Sequence, residues 1–96
     1  MITNLRPNYY VSSEGFSLEI FSNRLAKFVY REGDHEMVVY AEMLTGSIPF
    51  VIYIDDEIKR WNPPHDAEPI TNEKRMQILE NIRKIFRFEG EEIAVI

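Results

Sequence analysis

The sequence predicts an α+β domain in which an antiparallel sheet of about five strands carries one helix on one face. Apolar and polar residues alternate through residues 16–54, with turn residues at short intervals, as in consecutive antiparallel strands. A single apolar stripe with helical spacing follows Thr71 in the C-terminal half. The chain of 96 residues has room for one hydrophobic core, so we expect a single domain over residues 1–96.

Four segments before the helix are predicted to be strands. Residues 16–20 place three apolar side chains on one face, and residues 24–31 and 36–43 repeat the alternation. Residues 50–54 are rich in β-branched and aromatic side chains and give the strongest strand signal. Turns are predicted between these runs, at residues 22–23, 33–34 and 45–47. The order of the strands in the sheet does not follow from these patterns.

The predicted helix begins after Thr71, which has the side chain of a good N-cap. Glu73 adds negative charge to the first turn, where it complements the helix dipole. The apolar stripe consists of Ile78, Leu79, Ile82, Ile85 and Phe86. Residues 93–96 are again apolar, and we expect them to form a final strand that pairs with the sheet.

Composition and charge argue against several classes of protein. The 11 lysines and arginines are outnumbered by 16 aspartates and glutamates, and the net charge of −5 argues against a nucleic-acid-binding protein. The basic residues on the helix alternate with glutamates, which is typical of a solvated surface. The chain has no cysteine and therefore no disulfide or thiol chemistry. Neither a signal peptide nor an apolar run of membrane-spanning length is visible, so we expect a cytoplasmic protein.

Side chains that commonly carry catalysis are few, and we predict no enzyme activity and no cofactor. His35 lies in the turn after Gly33, where a solvated histidine is the ordinary interpretation. His65 stands beside Asp66 and has the chemistry of a base or a metal ligand. No second histidine is near it in sequence, and we therefore predict no metal site.

Three consecutive carboxylates, Asp55, Asp56 and Glu57, follow the strongest predicted strand. Hard cations such as Mg²⁺ take oxygen ligands, so this run raises the hypothesis of a metal-dependent hydrolase. On an extended chain, neighbouring side chains point to opposite sides, and at most two of the three converge. The other interpretations are a solvated strand end and an acidic patch that faces a partner, to which Asp66 and Glu68 add charge.

Trp61 is the only tryptophan and lies in the segment that joins the sheet to the helix. Its large apolar area favours a position at one end of the small core, with the neighbouring prolines beside it. The alternative is an exposed anchor in a protein interface, where tryptophan is enriched.

The chain resembles the small bacterial immunity proteins of polymorphic and contact-dependent growth inhibition toxin systems. The resemblance runs from about Arg24 to the C-terminus and is most specific at Trp61-Asn62-Pro63-Pro64 and in the terminal helix and strand. It implies a cytosolic protein that binds one cognate toxin domain, blocks its active site or its access to substrate, and performs no chemistry itself. Many such toxins are nucleases with basic grooves, toward which an acidic protein is steered.

Charge and loop placement, rather than a family motif, predict the toxin-binding surface. The candidates are the carboxylates Asp55, Asp56, Glu57, Asp66 and Glu68, with Trp61 and Tyr53 as anchors. Two other classes of function remain open, a non-catalytic adaptor that docks peptides on an exposed sheet edge and the metal-dependent hydrolase described above. A homodimer formed through a free strand edge is also compatible with the sequence. We expect no direct nucleic-acid partner and no membrane partner.

Overall fold

Seven strands and two helices make up the part of the computed structural model that is described, residues 1–22, 26–43 and 50–96. The strands are β1 (Ile2–Arg6), β2 (Tyr9–Ser12), β3 (Phe16–Ser22), β4 (Ala26–Glu32), β5 (His35–Met43), β6 (Phe50–Ile52) and β7 (Ala94–Val95), and the helices are α1 (Ile54–Glu57) and α2 (Asn72–Phe88). The strands lie side by side in chain order. Neighbouring strands are antiparallel except β6 and β7, which are parallel because the chain returns through α1 and α2 before pairing.

The turn between β4 and β5 is short. Glu32 pairs with His35, so only Gly33 and Asp34 separate the two strands. Gly33 has a φ of 63°, which a glycine adopts without steric cost and which a two-residue hairpin turn requires. The turn therefore holds Asp34 and His35 at one end of the sheet.

One face of the sheet and one face of α2 form the core. Buried and less buried side chains alternate along β3 and β5. The core contains Phe16, Leu18, Phe28, Tyr30, Met37 and Val39 from the sheet and Ile78, Leu79, Ile82, Ile85 and Phe86 from the helix. Each apolar side chain of this size contributes about 1.5–3 kcal/mol when it is fully buried. The predicted apolar stripe of the helix is thus confirmed in all five positions.

Both ends of α2 are capped. At the start, the Thr71 hydroxyl accepts a hydrogen bond from a backbone N–H of the first turn at 3.1 Å, which confirms the predicted N-cap. At the end, the Gly90 N–H donates to the Arg87 carbonyl and the Glu91 N–H donates to the Phe86 carbonyl, both at 2.9 Å. This pair of bonds is a Schellman motif, with Gly90 at a φ of 77°. Neither helix in the described residues has the length and the apolar run that crossing a membrane requires.

The sheet is larger than the predicted five strands, because the sequence patterns do not predict β1 and β2. In β1 the four residues after Ile2 are exposed, so no alternation marks this strand, and its pairing with β2 defines it. The predicted strand at 50–54 ends at Ile52, and a helical turn begins at Ile54. The final strand is confirmed at Ala94–Val95, where it is parallel rather than antiparallel to its neighbour. Outside the described residues lie residue 23 of one predicted turn, residues 24–25 of one predicted strand and the predicted turn at 45–47.

Candidate functional site

The three consecutive carboxylates lie on the single helical turn α1. The backbone N–H groups of Asp56 and Glu57 donate to the Tyr53 carbonyl at 3.1 and 2.9 Å, and that of Ile58 donates to the Ile54 carbonyl at 3.1 Å. Ile58 is fully buried and fixes the end of the turn to the core. The interpretation of this run as an extended strand end is therefore wrong, and the carboxylates stand on a hydrogen-bonded turn.

The three side chains have different surroundings. The Asp55 side chain is 89% exposed, with the Arg75 Nη1 atom 3.9 Å from its carboxylate. Asp56 is also exposed. Glu57 is half-buried, and its Oε1 accepts a hydrogen bond from the backbone N–H of Tyr40 on β5 at 3.3 Å. Asp55 and Asp56 thus present their charge to solvent, whereas Glu57 fastens the turn to the sheet.

Tyr53 connects this turn to a fourth carboxylate. Its hydroxyl donates to Glu42 Oε2 at 3.1 Å, and this hydrogen bond, with some desolvation, raises the pKa of Tyr53 above its ordinary value. Lys59 and Arg60 are exposed and follow the turn directly, so positive charge borders the carboxylates. The acidic surface, as we name it, consists of Glu42, Asp55, Asp56 and Glu57.

Trp61 lies in the core, as its apolar area predicts. It is 5% exposed, and its ring stacks on Tyr30 with the centroids 6.3 Å apart. The next residue, Asn62, donates from its backbone to the Glu36 carbonyl at 2.6 Å and from its side chain to Glu36 Oε1 at 3.1 Å. These contacts hold residues 61–70, which we call the crossover, against the β4–β5 hairpin.

The crossover brings His65 onto His35. The two rings stack with centroids 3.7 Å apart and planes 15° apart. Glu68 Oε2 lies 2.7 Å from His35 Nε2 and 2.7 Å from His65 Nδ1. From the other side, Asp34 Oδ1 lies 2.9 Å from His35 Nδ1, and its Oδ2 lies 3.5 Å from His65 Nε2. We call these four residues the histidine cluster.

Hydrogen bonding shifts the pKa values of three residues of the histidine cluster. The bond to Glu68 raises the pKa of His35, against a smaller lowering by desolvation. In return, the hydrogen bonds of His35 to Glu68 and Asp34 lower the pKa values of these two carboxylates. The His35 ring also meets the edge of Trp61, with centroids 5.0 Å apart, so the single tryptophan lies beside this cluster.

The acidic surface, the crossover and the histidine cluster all lie in the part of the chain that matches a known family. The family model described as Immunity protein 74 matches residues 26–96, which is more than half of the chain. The chain belongs to this family. Its members are non-catalytic toxin inhibitors of polymorphic toxin systems. A search of curated proteins found no match, and neither did a search of solved structures.

Membership in the Immunity protein 74 family confirms the resemblance to immunity proteins and the prediction that the chain is not an enzyme. The alternative of a metal-dependent hydrolase built on residues 55–57 has no support in a family of inhibitors. Strands β1 to β3 precede the matched residues, so the family pattern begins at β4.

The predicted site residues fall into four environments. Asp55, Asp56 and Glu57 share the acidic turn with Tyr53, and Asp66 is an exposed residue of the crossover. Glu68 contacts the two histidines, and Trp61 is buried. Sequence reasoning missed Glu42 beside the turn and the meeting of His35 with His65. No local sequence pattern indicates this cluster, because His35 and its partner Glu68 are 33 positions apart.

Proposed function

We propose that this chain binds the toxin domain of a cognate polymorphic toxin in the cytoplasm and neutralises it by direct contact through the acidic surface. The observation that carries this proposal is the exposure of Asp55 and Asp56 on a turn that buried Ile58 and the backbone bonds to Tyr53 hold in place. A charge that is already positioned loses little freedom on binding, which favours affinity.

The charge of the chain supports a nuclease as the target. A nuclease binds phosphates in a positively charged groove, and a protein with a net charge of −5 is attracted to such a groove. Carboxylates of the acidic surface then take the places of substrate phosphates. Lys59 and Arg60 limit the negative area and restrict the orientations in which the two proteins meet.

The remaining predicted residues receive different roles in this proposal. Tyr53 and Asp66 lie at the margin of the contact, where Tyr53 supplies aromatic area and Asp66 a further charge. Trp61 acts from within the core by holding the crossover on the hairpin, since little of its surface is accessible. Glu68 contributes through the position of the crossover, because its carboxylate is shared between two histidines.

Co-expression tests the inhibitory function. The toxin domain encoded next to this gene should arrest growth alone, and growth should be restored when this chain is co-expressed. The two proteins should co-purify at nanomolar affinity, as in other tight inhibitor complexes. Growth arrest that persists despite folded immunity protein contradicts the function itself.

Association kinetics test the surface. Asp56→Lys should slow association about threefold to tenfold at low ionic strength and reduce its dependence on salt. Glu14→Lys is the matched control, because it makes the same change of net charge at an exposed turn between β2 and β3. Lys59→Glu should act in the opposite direction to Asp56→Lys. Equal slowing by Asp56→Lys and Glu14→Lys shows that overall charge acts and that the acidic surface is not the contact.

A further inference from the structure

With both rings neutral, the histidine cluster has fewer N–H donors than it has contacts between ring nitrogens and carboxylate oxygens. All four ring nitrogens of His35 and His65 lie 2.7, 2.7, 2.9 or 3.5 Å from a carboxylate oxygen of Glu68 or Asp34. Two neutral imidazoles have only two N–H groups between them. Two ring nitrogens therefore direct a lone pair at a carboxylate when both rings are neutral. A cation within the cluster removes this repulsion.

The donor atoms have the chemistry and nearly the spacing of a transition-metal site. One ligand atom from each of Asp34, His35 and His65 lies within 4.8 Å of the other two. A tetrahedral zinc ion with bonds of roughly 2.0–2.1 Å separates its ligand atoms by about 3.3 Å, so these atoms must move closer together to bind one ion. Imidazole nitrogen selects zinc over Mg²⁺, which prefers oxygen ligands throughout.

We propose that Asp34, His35 and His65 bind a divalent ion of the zinc class, with Glu68 as an additional carboxylate. The ion joins the β4–β5 turn to the crossover and so fixes the crossover on the sheet. This site is separate from the acidic surface, and its existence does not depend on the proposed function.

Metal binding requires one change in the cluster. An imidazole nitrogen donates its lone pair in the plane of its ring, and two rings whose planes are 15° apart cannot both direct a lone pair at one point. His65 lies on the crossover, whereas His35 is held between the hairpin turn and Trp61. The ion therefore turns His65 out of the stack while His35 stays in place.

The composition of the chain makes this proposal simple to test. The chain has two histidines, both in the cluster, and no cysteine. Every imidazole ligand that the protein offers is therefore part of this one site. Zinc affinity that survives the loss of these rings comes from carboxylates alone and is weak.

Calorimetric titration with ZnCl₂ at pH 7 on tag-free, chelator-treated protein should give one ion per chain with micromolar or tighter affinity, and MgCl₂ should give no saturable heat. Proton NMR should show the imidazole signals of His65 moving as the ring leaves the stack.

His65→Phe keeps an aromatic ring and removes the donor nitrogens, and Asp34→Asn weakens one ligand. Each should lower zinc affinity at least about tenfold. Asp66→Asn, one position from His65, is the matched control and should leave affinity within about twofold.

Three results overturn the proposal. They are no saturable zinc binding by the original chain, full zinc affinity in His65→Phe, and an equal loss of affinity in Asp66→Asn. Circular dichroism establishes that each variant is folded, and His65→Gln replaces His65→Phe in the same comparison if that variant does not fold. Because no toxin is present in these titrations, failure here leaves the proposed function untouched.

Discussion

Tyr30→Phe tests the buried polar contacts beneath the crossover. The Tyr30 hydroxyl donates to Glu32 Oε1 at 2.7 Å and accepts from Asn81 Nδ2 at 2.9 Å. Phenylalanine keeps the ring and its stacking on Trp61 but removes both bonds. A hydrogen bond to a charged group contributes about 1.5–3 kcal/mol, and an unpaired buried amide costs about 1–3 kcal/mol. Glu32 keeps Lys74 as a partner, so we expect the free energy of unfolding to fall by about 2–3 kcal/mol.

Urea denaturation followed by circular dichroism measures this loss, and the melting temperature should fall by roughly 4–8 °C for each kcal/mol. Tyr40→Phe is the control, because Tyr40 is 48% exposed and its change should stay within about 0.5 kcal/mol. The double variant Tyr30→Phe/Asn81→Leu should lose less than the sum of the single variants, since it removes the amide that Tyr30→Phe leaves unpaired. A loss in Tyr30→Phe no larger than that in Tyr40→Phe refutes this reasoning.

Two further predictions concern Trp61 and the histidine cluster. Trp61→Ala should cost about 3–5 kcal/mol and impair folding. Trp61→Phe should still co-purify with the toxin, because little of the indole is accessible; loss of co-purification by a folded Trp61→Phe variant contradicts this. In buffer with a chelator, the raised pKa of His35 stabilises the fold below pH 6.5, and this contribution is lost as the pH rises through that raised pKa. The lowered pKa values of Glu68 and Asp34 stabilise the fold above pH 4.5 and 3.8, and this is lost as the pH falls through them. The contribution of the cluster to stability, measured as the urea midpoint, should therefore be largest between about pH 4.5 and 6.5. His35→Gln should flatten the dependence of the midpoint on pH, and equal profiles for the original chain and for His35→Gln contradict the prediction.

Much of the fold follows from local patterns in the sequence. Alternation in residues 16–20 and 36–43 predicts the core strands because one face of each is buried and the other is not. The start of α2 follows from Thr71, whose hydroxyl cap depends only on the next turn of the chain. These features are local, so one segment contains all the information that they need.

The features that were missed depend on partners elsewhere in the chain. β1 is mostly exposed and is recognisable only through its pairing with β2. The acidic run of α1 does carry a helical signal, since carboxylates favour a first turn, but the β-branched residues before it made an extended strand the stronger prediction. The contact of His35 with His65 arises only after the crossover has folded back onto the hairpin. Such a contact leaves no periodic trace in the sequence.

The parallel pair β6 and β7 affects when the acidic surface is complete. The other pairs join strands that follow one another in the chain, whereas β6 pairs on one side with residues 94–95, far along the sequence. In addition, the Ile54 N–H at the start of the acidic turn donates to the carbonyl of Ile96 at 3.0 Å. During translation the early hairpins pair soon after they leave the ribosome, because their partners emerge together. The turn gains its last backbone partner only when residue 96 has emerged. A nascent chain that has not yet reached residue 96 therefore presents the acidic turn without this backbone contact.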